Sequence, residues 1–136
     1  MRARRVIVSI ATVGLLLQAP LIAHHGAAAY DVGKKVVLKG TVKQWVYSNP
    51  HCLLTLEVKG DDGQVVRWII EGQAPNVVFP AGYRKDTFTF GDEVTVTGEP
   101  VKNGRPLGRI LAAVTADGTT LGAASSGFTT PSSNQP

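Results

Sequence analysis

The stretch His51 to Glu71, HCLLTLEVKGDDGQVVRWIIE, decides the fold because it contains two strand patterns joined by a tight turn. Apolar and polar residues alternate over residues 51–59, which predicts a strand with one buried face. That face would consist of Leu54, Leu56 and Val58. The GDDG sequence at 60–63 favours a hairpin, since glycine and aspartate adopt the backbone angles of tight β-turns. Residues 64–71 are rich in β-branched side chains and predict the partner strand.

Three further strands are predicted on the two sides of this hairpin, at residues 36–47, 94–97 and 107–115. Gly40, inside the first of them, indicates a bulge or a sharp bend. Between the third and fourth strands, Pro75 and Pro80 enclose a segment with room for one short helix. A long first strand, five strands in all and a helix after the third are typical of the OB-fold, a five-stranded Greek-key barrel. We therefore predict an all-β, OB-like barrel over residues 36–121, with another small β-barrel or sandwich as the alternative.

The amino terminus has the pattern of a signal peptide, an arginine-rich start followed by an apolar run from Val6 to Leu17. A transmembrane helix needs about 20 apolar residues, and this run is shorter. We predict a cleaved signal at residues 1–23 and no transmembrane segment in the mature protein. Cleavage after Ala29 is the alternative to cleavage after Ala23. Either site predicts a bacterial protein of the periplasm or the medium.

The segments on the two sides of the predicted barrel are not expected to belong to its core. Residues 24–35 are interpreted as a linker, and residues 122–136 as a disordered tail, because small and polar residues dominate there.

The charge of the chain limits the class of partner. The chain has 14 basic and 10 acidic residues, but three of its arginines lie within the first five positions. A mature chain that is almost neutral does not favour nucleic acid as a partner.

Several short motifs follow one another along the chain. They are His24-His25, the segment 37–42, Trp45, Asn49-Pro50-His51, Ala74-Pro75-Asn76 and the segment 91–96. In this order they resemble an exported bacterial family, the domain-of-unknown-function family 6152, over about residues 24 to 121. The chain departs from it at Gly26-Ala27, where the family usually has serine and phenylalanine. The resemblance implies a small exported OB-like domain, and it implies no activity and no catalytic residues.

All three histidines of the chain, His24, His25 and His51, lie within these motifs. Imidazole is the commonest metal ligand in proteins and suits copper and zinc. Cleavage after Ala23 would also give His24 a free α-amino group, which with its imidazole can chelate divalent copper. Further ligands could come from Tyr47, Asp31 and Glu71. The alternative is a solvated pair after the signal and a turn histidine that binds backbone groups.

A second set of residues predicts a ligand-binding face on the barrel, made of Trp45, Tyr47, Asn49, Trp68, Tyr83 and Arg84. OB-fold faces hold oligosaccharides or oligonucleotides by stacking on aromatic rings. Outside the cytoplasm, a glycan, a peptide or a periplasmic protein would be the expected partner. The alternative is that these aromatic residues fill the core of a small barrel.

Catalytic motifs are absent from the sequence, including the Gly-x-Ser-x-Gly elbow, the phosphate loop and His-Glu-x-x-His. The single cysteine, Cys52, lies in an apolar run and is expected to be buried. The sequence therefore predicts a small exported binding module and not an enzyme. The leading hypothesis is copper or zinc bound through histidine, and the alternative is a metal-free interaction module.

Overall fold

The hairpin predicted at the centre of the sequence is confirmed in the computed structural model, which describes residues 27–122. Strand β2 (Leu53–Lys59) pairs antiparallel with β3 (Val65–Glu71) in an unbroken register from Leu53↔Glu71 to Lys59↔Val65. The alternation buries Leu54 and Leu56 completely, as the pattern predicts. Each fully buried leucine stabilises the fold by about 1.5–3 kcal/mol.

Three further strands close the sheet into a barrel: β1 (Val36–Val46), β4 (Glu93–Pro100) and β5 (Leu107–Val114). Strand β1 pairs with both β2 and β4, and β5 pairs antiparallel with β4. A short parallel pairing of Ile69–Glu71 with Leu107–Arg109 joins β3 to β5. The closed order β1-β2-β3-β5-β4 is that of an OB-like Greek-key barrel, which confirms the predicted fold class.

Strand β1 bends because it serves two partners in turn. Residues 36–41 pair with β4, and residues 41–46 pair with β2. Gly40 lies where β1 passes from its pairing with β4 to its pairing with β2. A Cβ atom at this position would come 2.7 Å from the backbone oxygen of Glu57. The register on β2 shifts between Val42 and Gln44, so that the β-bulge is at Lys43, close to the bend expected at Gly40.

The predicted short helix between the third and fourth strands is confirmed. Helix α1 (Pro75–Val78) starts at Pro75, where the missing backbone N–H costs nothing, and a 3₁₀ turn (Phe79–Ala81) follows. A sixth strand that the sequence analysis does not predict, β6 (Thr120–Gly122), pairs with the end of β5. Its Leu121 is buried, so the folded part of the chain extends to residue 122.

Residues 27–31, called here the amino-terminal strap, belong to the segment interpreted as a linker and are held against the barrel. Tyr30 forms an isolated β-bridge with Val101. The backbone N–H of Asp31 donates to Pro100 O at 2.8 Å, and that of Lys102 donates to Ala29 O at 3.0 Å. Tyr30 is only 4% exposed. The folded unit therefore begins several residues before β1.

The barrel interior is lined by apolar side chains from every strand. It contains Leu38, Val42, Cys52, Leu54, Leu56, Ile70, Val78, Tyr83, Phe88, Val94, Val96, Ala113 and Leu121. The expected burial of Cys52 is confirmed. Between residues 27 and 122, no helix is both long and apolar enough to cross a membrane. The predicted signal peptide, both amino-terminal histidines and residues 123–136 of the predicted tail lie outside the described residues.

Candidate functional site

His51 lies at the start of β2, beside the last residue of β3. The pairing Leu53↔Glu71 continues past the strand ends, since Gly72 N–H donates to Cys52 O and Cys52 N–H donates to Gln73 O. This extension places His51 Nδ1 3.1 Å from Glu71 Oε1 and 3.2 Å from Gly72 O. The side chains of His51 and Glu71 are 39% and 21% exposed, so both groups are reachable from solvent.

The two neighbours of Nδ1 decide which nitrogen of His51 carries the proton. The carboxylate of Glu71 and the carbonyl of Gly72 accept hydrogen bonds and cannot donate them. Nδ1 therefore carries the hydrogen, and in the neutral ring Nε2 carries the lone pair. The ring is oriented by its Nδ1 contacts, and Nε2 is the nitrogen whose lone pair can accept a hydrogen bond or bind a metal.

Glu71 is held from its other side by the strap. Tyr30 Oη donates a 2.6 Å hydrogen bond to Glu71 Oε2. Burial of Tyr30, followed by its hydrogen bond to Glu71 and the charge of that carboxylate, raises the pKa of the phenol well above its usual range. The phenol therefore remains a donor at every pH near neutrality. Tyr30, Glu71 and His51 form a continuous hydrogen-bonded row.

A buried ion pair between β4 and β5 contacts the strap and the residue two positions after it. Glu99 is 2% exposed, and its carboxylate accepts hydrogen bonds from the guanidinium of Arg109 and, at 3.1 Å, from the backbone N–H of Gly33. Burial alone would raise the pKa of Glu99, but the bonds from Gly33 and Arg109 outweigh it and lower that pKa. The guanidinium of Arg109 also lies 5.3 Å from the centre of the Tyr30 ring.

The residues predicted as further metal ligands are separated in the structure. Glu71 contacts His51, whereas Asp31 lies 4.0 Å from Lys34 and the Tyr47 hydroxyl donates to the carbonyls of Pro75 and Tyr83. No group of three His, Cys, Asp or Glu side chains suited to a metal ion occurs among residues 27–122. Any metal at His51 would need ligands from elsewhere in the chain or from solvent.

His24 and His25 precede the strap in the sequence and lie outside the described residues. His25 precedes Tyr30 by five positions. Five residues of extended chain span at most about 18 Å. Tyr30 is anchored and its hydroxyl contacts Glu71, so the length of the intervening chain would allow the amino-terminal histidines to approach His51.

Most of the aromatic residues predicted for a binding face pack against one another. The ring centroid of Trp45 lies 6.0 Å from that of Tyr47, 6.4 Å from that of Tyr83 and 5.0 Å from that of Phe88. Trp45 Nε1 donates to Arg84 O at 2.9 Å, and Trp68 is packed against the same core. Arg84 stacks on Phe79 at 3.6 Å, and Asn49 is exposed in the turn before β2, next to the cis Asn49–Pro50 bond. Trp45, Tyr47 and Trp68 are therefore half-buried against the core, whereas Asn49 and Arg84 are exposed.

Two features of the surface have no counterpart in the sequence analysis. One is Tyr30, whose role depends on contacts with β3 and β5 far along the chain. The other is a groove of about 470 Å³ on the outer face of β1, β2 and β3, called here the outer groove. It is lined by Lys43, Gln44, Thr55, Glu57, Arg67 and Phe90. These residues come from four separate segments, so no local motif connects them.

Comparison with known proteins identifies the family of this chain but assigns it no activity. The sequence profile of a group described as a family of unknown function, DUF6152, matches residues 13–110. No curated protein and no solved structure matches the chain. The matched region covers most of the barrel, including His51, Glu71 and Tyr30. The chain therefore belongs to the family of unknown function DUF6152.

Proposed function

We propose that this protein is an exported bacterial binding module that holds one copper or zinc ion through His51 and the amino-terminal histidines. The observation that supports this most directly is the contact of His51 Nδ1 with Glu71 at 3.1 Å. Metal-binding histidines almost always donate their second ring N–H to a carboxylate or a backbone carbonyl. His51 has both kinds of partner, and they leave the lone pair on Nε2.

The choice of metal follows from the ligand type. An imidazole nitrogen suits zinc and copper, while magnesium and calcium prefer oxygen ligands. In this proposal Glu71 orients His51, and the phenol of Tyr30 keeps Glu71 in place. His24 and His25 supply the remaining nitrogens, and His24 adds its α-amino group if cleavage follows Ala23.

Export is part of the same proposal, and it rests on the amino-terminal pattern. A basic start and a short apolar run end before His24. The strap adds a reason to favour cleavage after Ala23, because Ala29 O accepts a hydrogen bond from Lys102 and cleavage after Ala29 would remove that carbonyl. A periplasmic or secreted location is the expectation.

The test is metal binding by the mature secreted chain, measured by native mass spectrometry and calorimetry with Cu(II) and with Zn(II). We expect a chain starting at His24 that retains one ion. His51→Ala should lose at least tenfold in affinity, while Ser48→Ala, an exposed change in the same turn, should bind like the native protein. Glu71→Gln keeps the size of the side chain and should weaken binding less than His51→Ala.

Two results would contradict the metal proposal. One is a secreted chain that retains no ion, whether it starts at His24 or at Tyr30. The other is equal affinity in the native protein and in a His51→Ala variant whose melting temperature shows that it is folded. The metal-free alternative, a module that binds a glycan, a peptide or a protein, would then remain, and the outer groove is the surface that supports it.

A further inference from the structure

The outer groove is formed by a deviation from regular strand geometry. Successive residues of a strand point to opposite faces. Lys43 and Gln44 are successive in β1, yet both line the groove, because the β-bulge at Lys43 adds one residue to β1 against β2. Bulges often re-aim a side chain next to a functional site. Here the bulge adds a cation to a face that already has Gln44 and Thr55.

The charged side chains of the groove form one connected group with an excess of positive charge. Glu57 contacts Lys43 Nζ at 3.0 Å through Oε2 and Arg67 Nη2 at 3.2 Å through Oε1. Two cations therefore share one carboxylate. A guanidinium has five N–H donors, and the side chain of Arg67 is 68% exposed. The group therefore has one positive charge in excess, and Arg67 is accessible from solvent.

An exposed aromatic ring borders this group. Phe90 is 73% exposed and lies 5.2 Å from Lys43 Nζ. The backbone next to it is fixed, since Gly91 N–H donates to Val42 O and Val42 N–H donates to Asp92 O. An ordered turn therefore holds the Phe90 ring in place. Because the ring is exposed, it leaves an apolar surface in contact with water.

These parts match the chemistry of an acidic sugar. The C–H face of a pyranose ring packs on an aromatic ring, its hydroxyls bond to amide and hydroxyl groups such as those of Gln44 and Thr55, and a uronate carboxylate pairs with Arg67. A peptide strand fits less well. The floor of the groove is β2, whose backbone is already paired with β1 and β3, so a peptide finds no sheet edge there. The volume lies in the range of small-ligand sites.

We propose that the outer groove binds a carboxylate-bearing oligosaccharide, with Phe90 stacking on a sugar ring and with Arg67 and Lys43 binding its carboxylate. This site is separate from His51 and does not depend on a metal.

The experiment is a calorimetric titration of the mature chain with trigalacturonate, in EDTA so that no metal bridges the sugar to the protein. Maltotriose, which has as many rings and no charge, should bind at least tenfold more weakly. Arg67→Gln and Phe90→Ser should each weaken trigalacturonate binding at least tenfold. Arg105→Gln, an exposed arginine in the turn after β4, and His51→Ala should both bind it like the native protein.

Three results would overturn the assignment. The first is no binding of trigalacturonate by the native chain. The second is native-like binding by both groove variants, each shown to be folded by its circular dichroism. The third is equal binding of tetraglutamate or of an oligothymidylate at the same residues, which would make the groove a site for anions in general. Both substituted side chains are largely exposed, so neither change should unfold the barrel.

Discussion

Tyr30 Oη donates a 2.6 Å hydrogen bond to Glu71 Oε2 across 41 positions of the chain. The bond joins the strap to the end of β3, and Glu71 passes the constraint to His51 through its other oxygen. A residue outside all five predicted strands therefore controls the orientation of the candidate ligand. The first prediction concerns this bond.

Tyr30→Phe removes the hydroxyl and keeps the buried ring. A hydrogen bond to a charged group is worth about 1.5–3 kcal/mol, and we expect the free energy of unfolding to fall by that amount. Urea denaturation measures it. Tyr47→Phe is the matched control, because its hydroxyl makes longer bonds of 3.3 and 3.4 Å to carbonyls and should cost about 0.5–1.5 kcal/mol. An equal loss in the two variants would contradict the role given to Tyr30.

Tyr83→Phe should have the opposite effect. Among the described residues, the Tyr83 hydroxyl is a buried polar group with no hydrogen-bond partner. Burial raises the pKa of this phenol far above its usual range, so the group stays neutral. An unsatisfied buried group costs about 1–3 kcal/mol, and the variant should be as stable as the native protein or more stable in thermal unfolding. A clear loss of stability would mean that the hydroxyl has a partner.

We expect the free energy of unfolding to fall in acid because of Glu99. A carboxyl whose pKa is lower in the folded state than its ordinary value of 4.5 stabilises the fold above that value. This contribution disappears as the pH falls through the lowered pKa. Unfolding measured from pH 7 down to pH 3 should therefore show a weaker dependence on pH in Glu99→Gln than in the native protein.

The same variant should also lose about 3–5 kcal/mol at neutral pH, because Arg109 is left without its buried partner. Glu93→Gln provides the control, since Glu93 is an exposed residue of β4 that accepts a bond from Thr41. It should change the neutral-pH stability by less than about 1 kcal/mol. Parallel acid profiles for Glu99→Gln and the native chain would rule out Glu99 as the source.

Gly40→Ala tests the bend of β1. The new methyl group would lie 2.7 Å from the backbone oxygen of Glu57 and 3.0 Å from Val58 Cγ2, so the two strands must move apart. We expect a loss of about 1–3 kcal/mol in chemical denaturation. Gly122→Ala is the control, because its methyl group would meet no atom within 4 Å. Similar stabilities for the two variants would show that the strands adapt freely.

The five-stranded order was readable from the sequence because each turn between strands carries glycine, proline or aspartate. The GDDG hairpin and the helix that starts at Pro75 are examples, and both formed as predicted. Strand β6 was missed because Leu121 is the one large apolar residue in it, and one residue gives no alternation. The bulge was expected near Gly40, but the extra residue is Lys43, since a bulge depends on the partner strand.

The candidate sites were predictable only where a residue type stands out in the sequence or belongs to the predicted hairpin. His51 stands out because histidine is rare in this chain, and Glu71 was one of three further ligands considered. Tyr30 has no local signal, because its partners Glu71 and Val101 come from distant strands. The outer groove was missed for the same reason, because Arg67 and Phe90 come to line one groove only after the barrel closes.

The docked strap also has a consequence for the order of folding. Asp31 N–H donates to Pro100 O and Lys102 N–H donates to Ala29 O, and just after the strap Gly33 N–H donates to Glu99, which follows it by 66 positions. Contacts so distant in sequence slow folding, because a long loop must close before they form. In a chain synthesised from its amino terminus, the backbone partners of the strap, which are Pro100, Val101 and Lys102, become available only after β4 has emerged. The surroundings of His51 are therefore completed late, when nearly the whole domain is available.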